Sequence, residues 1–280
     1  QVCGWALALL AVLPPHSLAW NVSGHMLSGS LAYQILRRES AHTIESVKTI
    51  LEKHPWYATQ WQAELAKVPT IDREEMLFMV APRWADDIRT KDRVYNRPPW
   101  HFINMPFKPN GQPESVQTKP PAAVNILTAL AENERITKTD NLEQRAIALT
   151  WLFHLVGDLH QPLHTVQIFT TEHPNGDRGG NEICMRPSPN RKSGSLHRFW
   201  DGVVTSGSNP TRLRNRATEM RNREEFSRRQ LTELASTEFE LWDKESFEIA
   251  TKIAYQNGAF VGTPKPPRRE CGDVADAAIL

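Results

Sequence analysis

The stretch Trp151-Leu-Phe-His-Leu-Val-Gly-Asp-Leu-His-Gln-Pro-Leu-His164 decides how this chain is read. An α-helix turns about 100° per residue, so His154 and Asp158, four apart, point about 40° from one another and share one space. Leu152, Phe153, Leu155, Val156 and Leu159 surround them almost on all sides, which predicts a buried helix. Pro162 breaks it just before His164. Buried carboxylates and imidazoles are costly unless they are paired or bound to a cation. The stretch is therefore either a satisfied polar cluster in a core or half of a metal site.

Around it lies a chain of 280 residues in which no linker separates two parts, as expected of one large domain. Lys+Arg 33 against Asp+Glu 32 leaves a net charge of +1. That balance excludes a broad electrostatic lure for nucleic acid or an acidic membrane, so an anionic substrate must be drawn by local charge such as bound metal. Alternating β-branched runs are scarce and Pro reaches 20, which predicts a mostly helical protein with Pro-rich connections.

Residues 1–19 differ from the rest. An apolar run over 5–13, then Pro14-Pro15 and the small-x-small ending Ser17-Leu18-Ala19, fits a secretory signal peptide cut before Trp20. The run is too short for the roughly 20 residues that span a bilayer. With neither Met nor a basic segment at Gln1, the true start is expected further upstream. Removal of the leader takes Cys3 with it, and Cys184 and Cys271 either form one disulfide or stay as two buried thiols.

Apolar residues three to four apart predict helices through Leu27, Leu31 and Ile35, and again through Ile44, Val47 and Ile50. Asp72 with Glu75 resembles a capping box for a helix through Met76 and Val80. Further helices are expected around Leu127 and Leu130, over 141–159, over 196–203, and through 211–258. Residues 170–195, rich in Gly and Pro, predict a long loop or small hairpin. The Arg-rich segment 212–229 also holds Glu219, Glu224 and Glu225 and is read as a solvated face.

The chemistry gathers in two H-x-x-x-D pairs, His154/Asp158 and His197/Asp201, to which His25, His101, His164 and Asp86 are added. Imidazole nitrogens with carboxylate oxygens suit zinc, and these are too many for one ion. His42, His54 and His173 are taken as ordinary surface or core residues, and His160 as a residue that steadies a ligand by a hydrogen bond.

Trp20-x4-His25, Trp84-Ala-Asp86, His101-Phe-Ile-Asn104, His154-x3-Asp158-x5-His164 and Leu196-His-x2-Trp-Asp201 occur in that order. Together with Gly179-Gly180-Asn181 they resemble the S-one/P-one family of zinc-dependent single-strand nucleases and 3′-nucleotidases. The resemblance implies a single compact all-α domain over 20–280 with three zinc ions in a cleft. Asp86, His101, His154 and Asp158 would hold one ion. His25, a bridging Asp158, and the amino nitrogen and carbonyl oxygen of Trp20 would hold its neighbour. His164, His197 and Asp201 would hold a third, more exposed ion. Because the nitrogen of Trp20 is an amide while Ala19 is attached, cleavage of the leader becomes part of the chemistry.

The implied reaction is metal-assisted hydrolysis of phosphodiesters in single-stranded DNA and RNA to 5′-phosphorylated products, with action on 3′-nucleotides as well. Asp86 and Asp158 belong to the catalytic set, Arg89 steadies the phosphate, and Phe102 stacks on a base. The protein is expected to be secreted or periplasmic, monomeric, and without stable membrane association. Two departures stand out. Asn104 replaces an Asp of well-studied fungal members and can orient water but cannot act as a base. The chain also stops short of a further C-terminal helix, and a truncation is expected. A zinc-dependent phospholipase C of the same superfamily is the alternative, disfavoured by Asp201 where those lipases tend to carry Glu, and by His101-Phe102. A zinc-storing or structural protein is a third reading; it predicts closed sites of four protein ligands, whereas His164, His197 and Asp201 leave at least one position open.

Overall fold

The computed structural model describes residues 20–205, 207–231, 236–274 and 277–279; the expected signal peptide lies outside them. Side-chain oxygens start most of the principal helices. Asn21 accepts the Gly24 N–H at the head of α1 (Val22–Glu39), which is followed by α2 (Ala41–Leu51), the short α3 (Gln62–Leu65) and α4 (Arg73–Lys91). A capping box of Asn125 and Thr128 opens α5 (Ile126–Thr137), and Asn141 caps α6 (Leu142–Leu159). Ser195 caps α7 (Leu196–Asp201) and Asn209 caps α8 (Pro210–Asn222), while α9 spans Phe239–Ile249. Each such cap satisfies amide groups that the first helical turn leaves unpaired.

Two small sheets complete the expected mostly helical architecture. β1 (Met105–Phe107) pairs in parallel with β2 (Val166–Ile168). β3 (Ile183–Arg186) lies between β4 (Gly194–Ser195) and β5 (Thr263–Pro264), both antiparallel to it, and β6 (Ala278–Ile279) joins β3 in parallel. The β3–β4 pair is the small hairpin expected within 170–195.

The main core forms where α1 meets α4 and where α6 meets α4 and α5, around Leu27, Met79, Trp84, Ile88, Trp151 and Leu155. Contact between α1 and α4 is nearly backbone to backbone, since a Cβ on Gly29 would lie 2.0 Å from the carbonyl oxygen of Phe78. Pro82, four residues after Phe78 in α4, has no N–H to give that carbonyl. Gly29 and Pro82 thus set how closely the helix bearing His25 approaches the helix bearing Asp86.

Four features depart from the sequence expectations or resolve them. The helix of the opening stretch is fully buried at Trp151, His154, Leu155, Asp158 and Leu159, but Leu152, Phe153 and Val156 are half-buried along an apolar groove. Helix does not run unbroken through 211–258, because α8 ends at Asn222 and α9 begins at Phe239. Asp72 and Glu75 form no capping box: Asp72 pairs with Arg214 at 2.6 Å, and Glu75 binds Arg214, Ser30 and Gln34. Those bonds tie α4 to α1 and α8. Finally, Cys184 and Cys271 form a disulfide across 87 residues of sequence.

Candidate metal centre

Asp158 sits at the middle of the site, buried on α6 one turn after His154. Its Oδ2 lies 2.8 Å from His154 Nε2 and 2.9 Å from His101 Nδ1, and those two nitrogens are 2.9 Å apart. Its Oδ1 faces the other way, 3.2 Å from His25 Nε2 and 3.7 Å from His164 Nδ1. Asp86, from α4, brings its carboxylate to 3.9 Å from both His25 Nε2 and His154 Nε2. Arg89, one turn further on, places Nη2 2.8 Å from Asp86 and 3.1 Å from His101 Nδ1.

The imidazoles are aimed by backbone carbonyls. A carbonyl can only accept, so Nδ1 of His154 donates to Pro82 (2.7 Å), Nδ1 of His164 to His101 (2.7 Å) and Nδ1 of His197 to Gly179 (2.6 Å). In the neutral ring each Nε2 then keeps its lone pair for a ligand. The β1–β2 ladder extends this alignment: Ile103 N–H donates to the His164 carbonyl and Met105 N–H to that of Thr165. His101 and His164 stand at the heads of those two strands.

His164, His197 and Asp201 form a separate group of ligand atoms, all within 4.8 Å of one another. The same spacing joins His25, Asp86 and His154, and also His101, His154 and Asp158. Asp201 is held by Gln161, whose Nε2 donates at 2.7 Å while its Oε1 accepts the Leu163 N–H at 2.6 Å. Gly179 and Gly180 have positive φ and pack so tightly that a Cβ on Gly179 would lie 2.2 Å from the Leu163 carbonyl oxygen. Buried Asp177 fixes this turn by accepting from Ile168 N, Gly180 N and the Tyr255 hydroxyl.

These residues fit a cation. Apart from the ion pairs just given, both nitrogens of His25, both carboxylate oxygens of Asp86, Oδ1 of Asp158 and Nε2 of His164 are buried with no well-aligned hydrogen bond among the described residues. Leaving so many polar atoms unmatched is costly, and bound cations would meet that need for the atoms that face one another, though not for Nδ1 of His25, which faces Gly157. Burial pushes the Asp158 carboxyl up, but His154, His164 and His101 hold it well below the usual carboxylate range. Burial dominates at Asp201, whose carboxyl is raised well above that range. Burial also lowers His101, beside the Arg89 cation, and His197, beside His164, each to about 3.

Other residues singled out in the sequence lie less centrally. Asn21 N–H donates to the Asp201 carbonyl, tying the chain just after Trp20 to α7, while the indole of Trp20 borders the apolar groove beside His25 and Gly157. Phe102 and Asn104 are half-buried on the segment that carries His101, and Phe102 joins none of the apolar clusters among the described residues. Among the described residues His160 makes no hydrogen bond to a proposed metal ligand. It is exposed, bonds the Val156 carbonyl and rests against Trp242, because it is the residue at which α6 ends. Sequence reasoning passed over Gln161 and Asp177, although a polar residue within an apolar stretch was a signal for Gln161. It also passed over Gly157, where a Cβ would lie 3.1 Å from His25 Nδ1.

The helical frame and its His/Asp groups define a protein able to hold metal ions in a buried centre. Comparison with known proteins is specific: a family model described as S1/P1 Nuclease matches residues 20–263. Endonuclease 4 of Arabidopsis thaliana is 25% identical over 268 residues, covering 86% of this chain and 77% of that protein. Endonuclease 3 of the same plant is 26% identical over 216 residues, or 72% of this chain and 62% of that protein. Endonuclease 5 is 36% identical over a shorter span of 80 residues. The chain belongs to the S1/P1 nuclease family.

Proposed function

We propose that this protein is an exported, monomeric, zinc-dependent endonuclease. It hydrolyses phosphodiester bonds of single-stranded DNA and RNA to 5′-phosphorylated products and also acts on 3′-nucleotides. The observation that carries the reading is Asp158, whose two oxygens face different sets of histidines within a buried, unmatched donor set. Among the described residues no helix is long and apolar enough to cross a membrane. Family membership favours the nuclease over the phospholipase alternative.

Asp86, His101, His154 and Asp158 would hold one ion; His25, Asp158 and the backbone nitrogen and oxygen of Trp20 a second; His164, His197 and Asp201 a third. When bound, zinc supplies Lewis-acid polarisation of a phosphoryl oxygen and a lowered pKa for an attacking water. The protein contributes positioning. Arg89 fixes Asp86 and adds positive charge where a phosphate anion is received. Asn104 orients the attacking water through its amide, which takes up no proton. Phe102, half-buried and outside the apolar clusters, offers a face on which a base stacks without regard to sequence.

The test is hydrolysis of single-stranded DNA, RNA and 3′-AMP by the chain beginning at Trp20, before and after chelation and after zinc is restored. Loss on chelation with recovery on zinc is expected; undiminished activity of the metal-stripped protein overturns the reading.

A further inference from the structure

Beside His197 and Asp201 the protein opens into a cavity of 410 Å³ that borders the metal centre and extends away from it. Its walls come from the turn before β3, from β4 and α7, and from the segment around Cys271 that the disulfide fastens to β3. Three cations line it: Arg178, Arg198 and Lys265. Arg178 is met by Glu182 at 3.2 Å, and Lys265, with only 14% of its side chain exposed, is met loosely by Glu270 at 3.8 Å. No carboxylate pairs with Arg198 among the described residues. Apart from the ligand Asp201, the lining therefore carries three positive and two negative groups, a surplus of one positive charge.

That surplus matters in a chain whose overall charge is +1, because attraction for an anion must then be local. A phosphodiester carries one negative charge and accepts hydrogen bonds from guanidinium and ammonium groups. The cavity shares the His197 and Asp201 wall with the third ligand group, so a strand whose reacting phosphate lies at that group has a neighbouring phosphate within reach of it. We infer that this cavity is a subsite for the phosphodiester next to the one being cleaved, held by Arg198 and Lys265. The inference rests on the nuclease reading above and adds to it a preference for substrates that contain a second phosphate.

The test compares dTpdT, with one phosphodiester, against dTpdTpdT, with two, using wild type, Arg198→Gln and Lys265→Gln. Losing one charge-assisted contact raises KM for dTpdTpdT about tenfold. The kcat for that substrate and both constants for dTpdT stay at wild-type values. Raising salt weakens wild-type recognition of dTpdTpdT more steeply than that of the Arg198→Gln protein, with a slope in log KM against log salt greater by about 0.7. Arg198 is exposed, so the melting temperature and zinc content of its variant should match wild type and separate the subsite from a folding defect. Equal losses on both substrates, or no loss on either, overturn the subsite. Failure of the wild-type protein to cleave either substrate overturns the nuclease reading itself.

Discussion

Replacing Gly157 with alanine asks whether His25 is held by the helix it faces. The new methyl carbon would lie 3.1 Å from Nδ1 and 3.3 Å from Cε1 of His25. Ordinary contact is about 3.5–4.0 Å, so the imidazole must retreat by a few tenths of an ångström. Little room exists, because the ring is buried and stacks on His154 with 4.0 Å between centroids. Two opposed effects decide the outcome. Alanine improves helix propensity by up to about 1 kcal/mol, whereas forcing atoms into a packed site costs about 1–3 kcal/mol. In the chelated protein His25 can shift, and the two effects should nearly cancel. In the metal-loaded protein a ligand must keep its place, and the steric cost appears as a loss of zinc affinity of about tenfold or more. Zinc retained after dialysis against graded chelator, together with melting temperature in the presence and absence of chelator, reads both states. A variant with wild-type zinc affinity and activity would refute the reasoning.

Gly29→Ala would place a carbon 2.0 Å from the Phe78 carbonyl oxygen, which is backbone and cannot swing away; a loss of about 3 kcal/mol or more is expected in denaturant titrations. Gln161→Leu removes the bond to Asp201 and leaves the buried Leu163 N–H unpaired, at a cost of about 1–3 kcal/mol. Metal analysis should show it releasing one ion more readily than the others. Asp243 is raised to about 6 by burial and by Glu240. An acid that holds its proton more tightly when folded favours the folded state at low pH, so its contribution is lost as pH rises from about 4, the unfolded value, through 6. Urea midpoints of Asp243→Asn should lack that fall when compared with wild type over the same interval.

What could be read from the chain divides along sequence distance. His154 with Asp158, and His197 with Asp201, were legible as pairs because a single helix sets their spacing, and α6 and α7 carry them. The meeting of His25, Asp86 and His101 around Asp158 follows from contacts among α1, α4 and the segment before β1, which no local pattern encodes. Only the resemblance grouped those residues in advance. Asp72 and Glu75 show the reverse case: their spacing matched a cap, but Arg214, 139 residues beyond Glu75, offered a stronger partner. Gln161 and Asp177 act through Asp201 and Tyr255, 40 and 78 residues away, so their roles appear only once the chain is folded. The glycines at 29, 157 and 179 belong to the same class, since each is required by a neighbour distant in sequence.

The Cys184–Cys271 bond also bears on survival among proteases, which matters if the protein is exported as proposed. Between α8 and α9 the chain presents Arg223, Arg228 and Arg229 on an exposed stretch, an inviting target for a trypsin-like enzyme. Any cut there falls inside the loop that the disulfide closes. The severed piece, with α9, β5 and Lys265, stays covalently attached to the piece that carries every proposed metal ligand. A nicked molecule therefore remains one molecule until it meets a reductant.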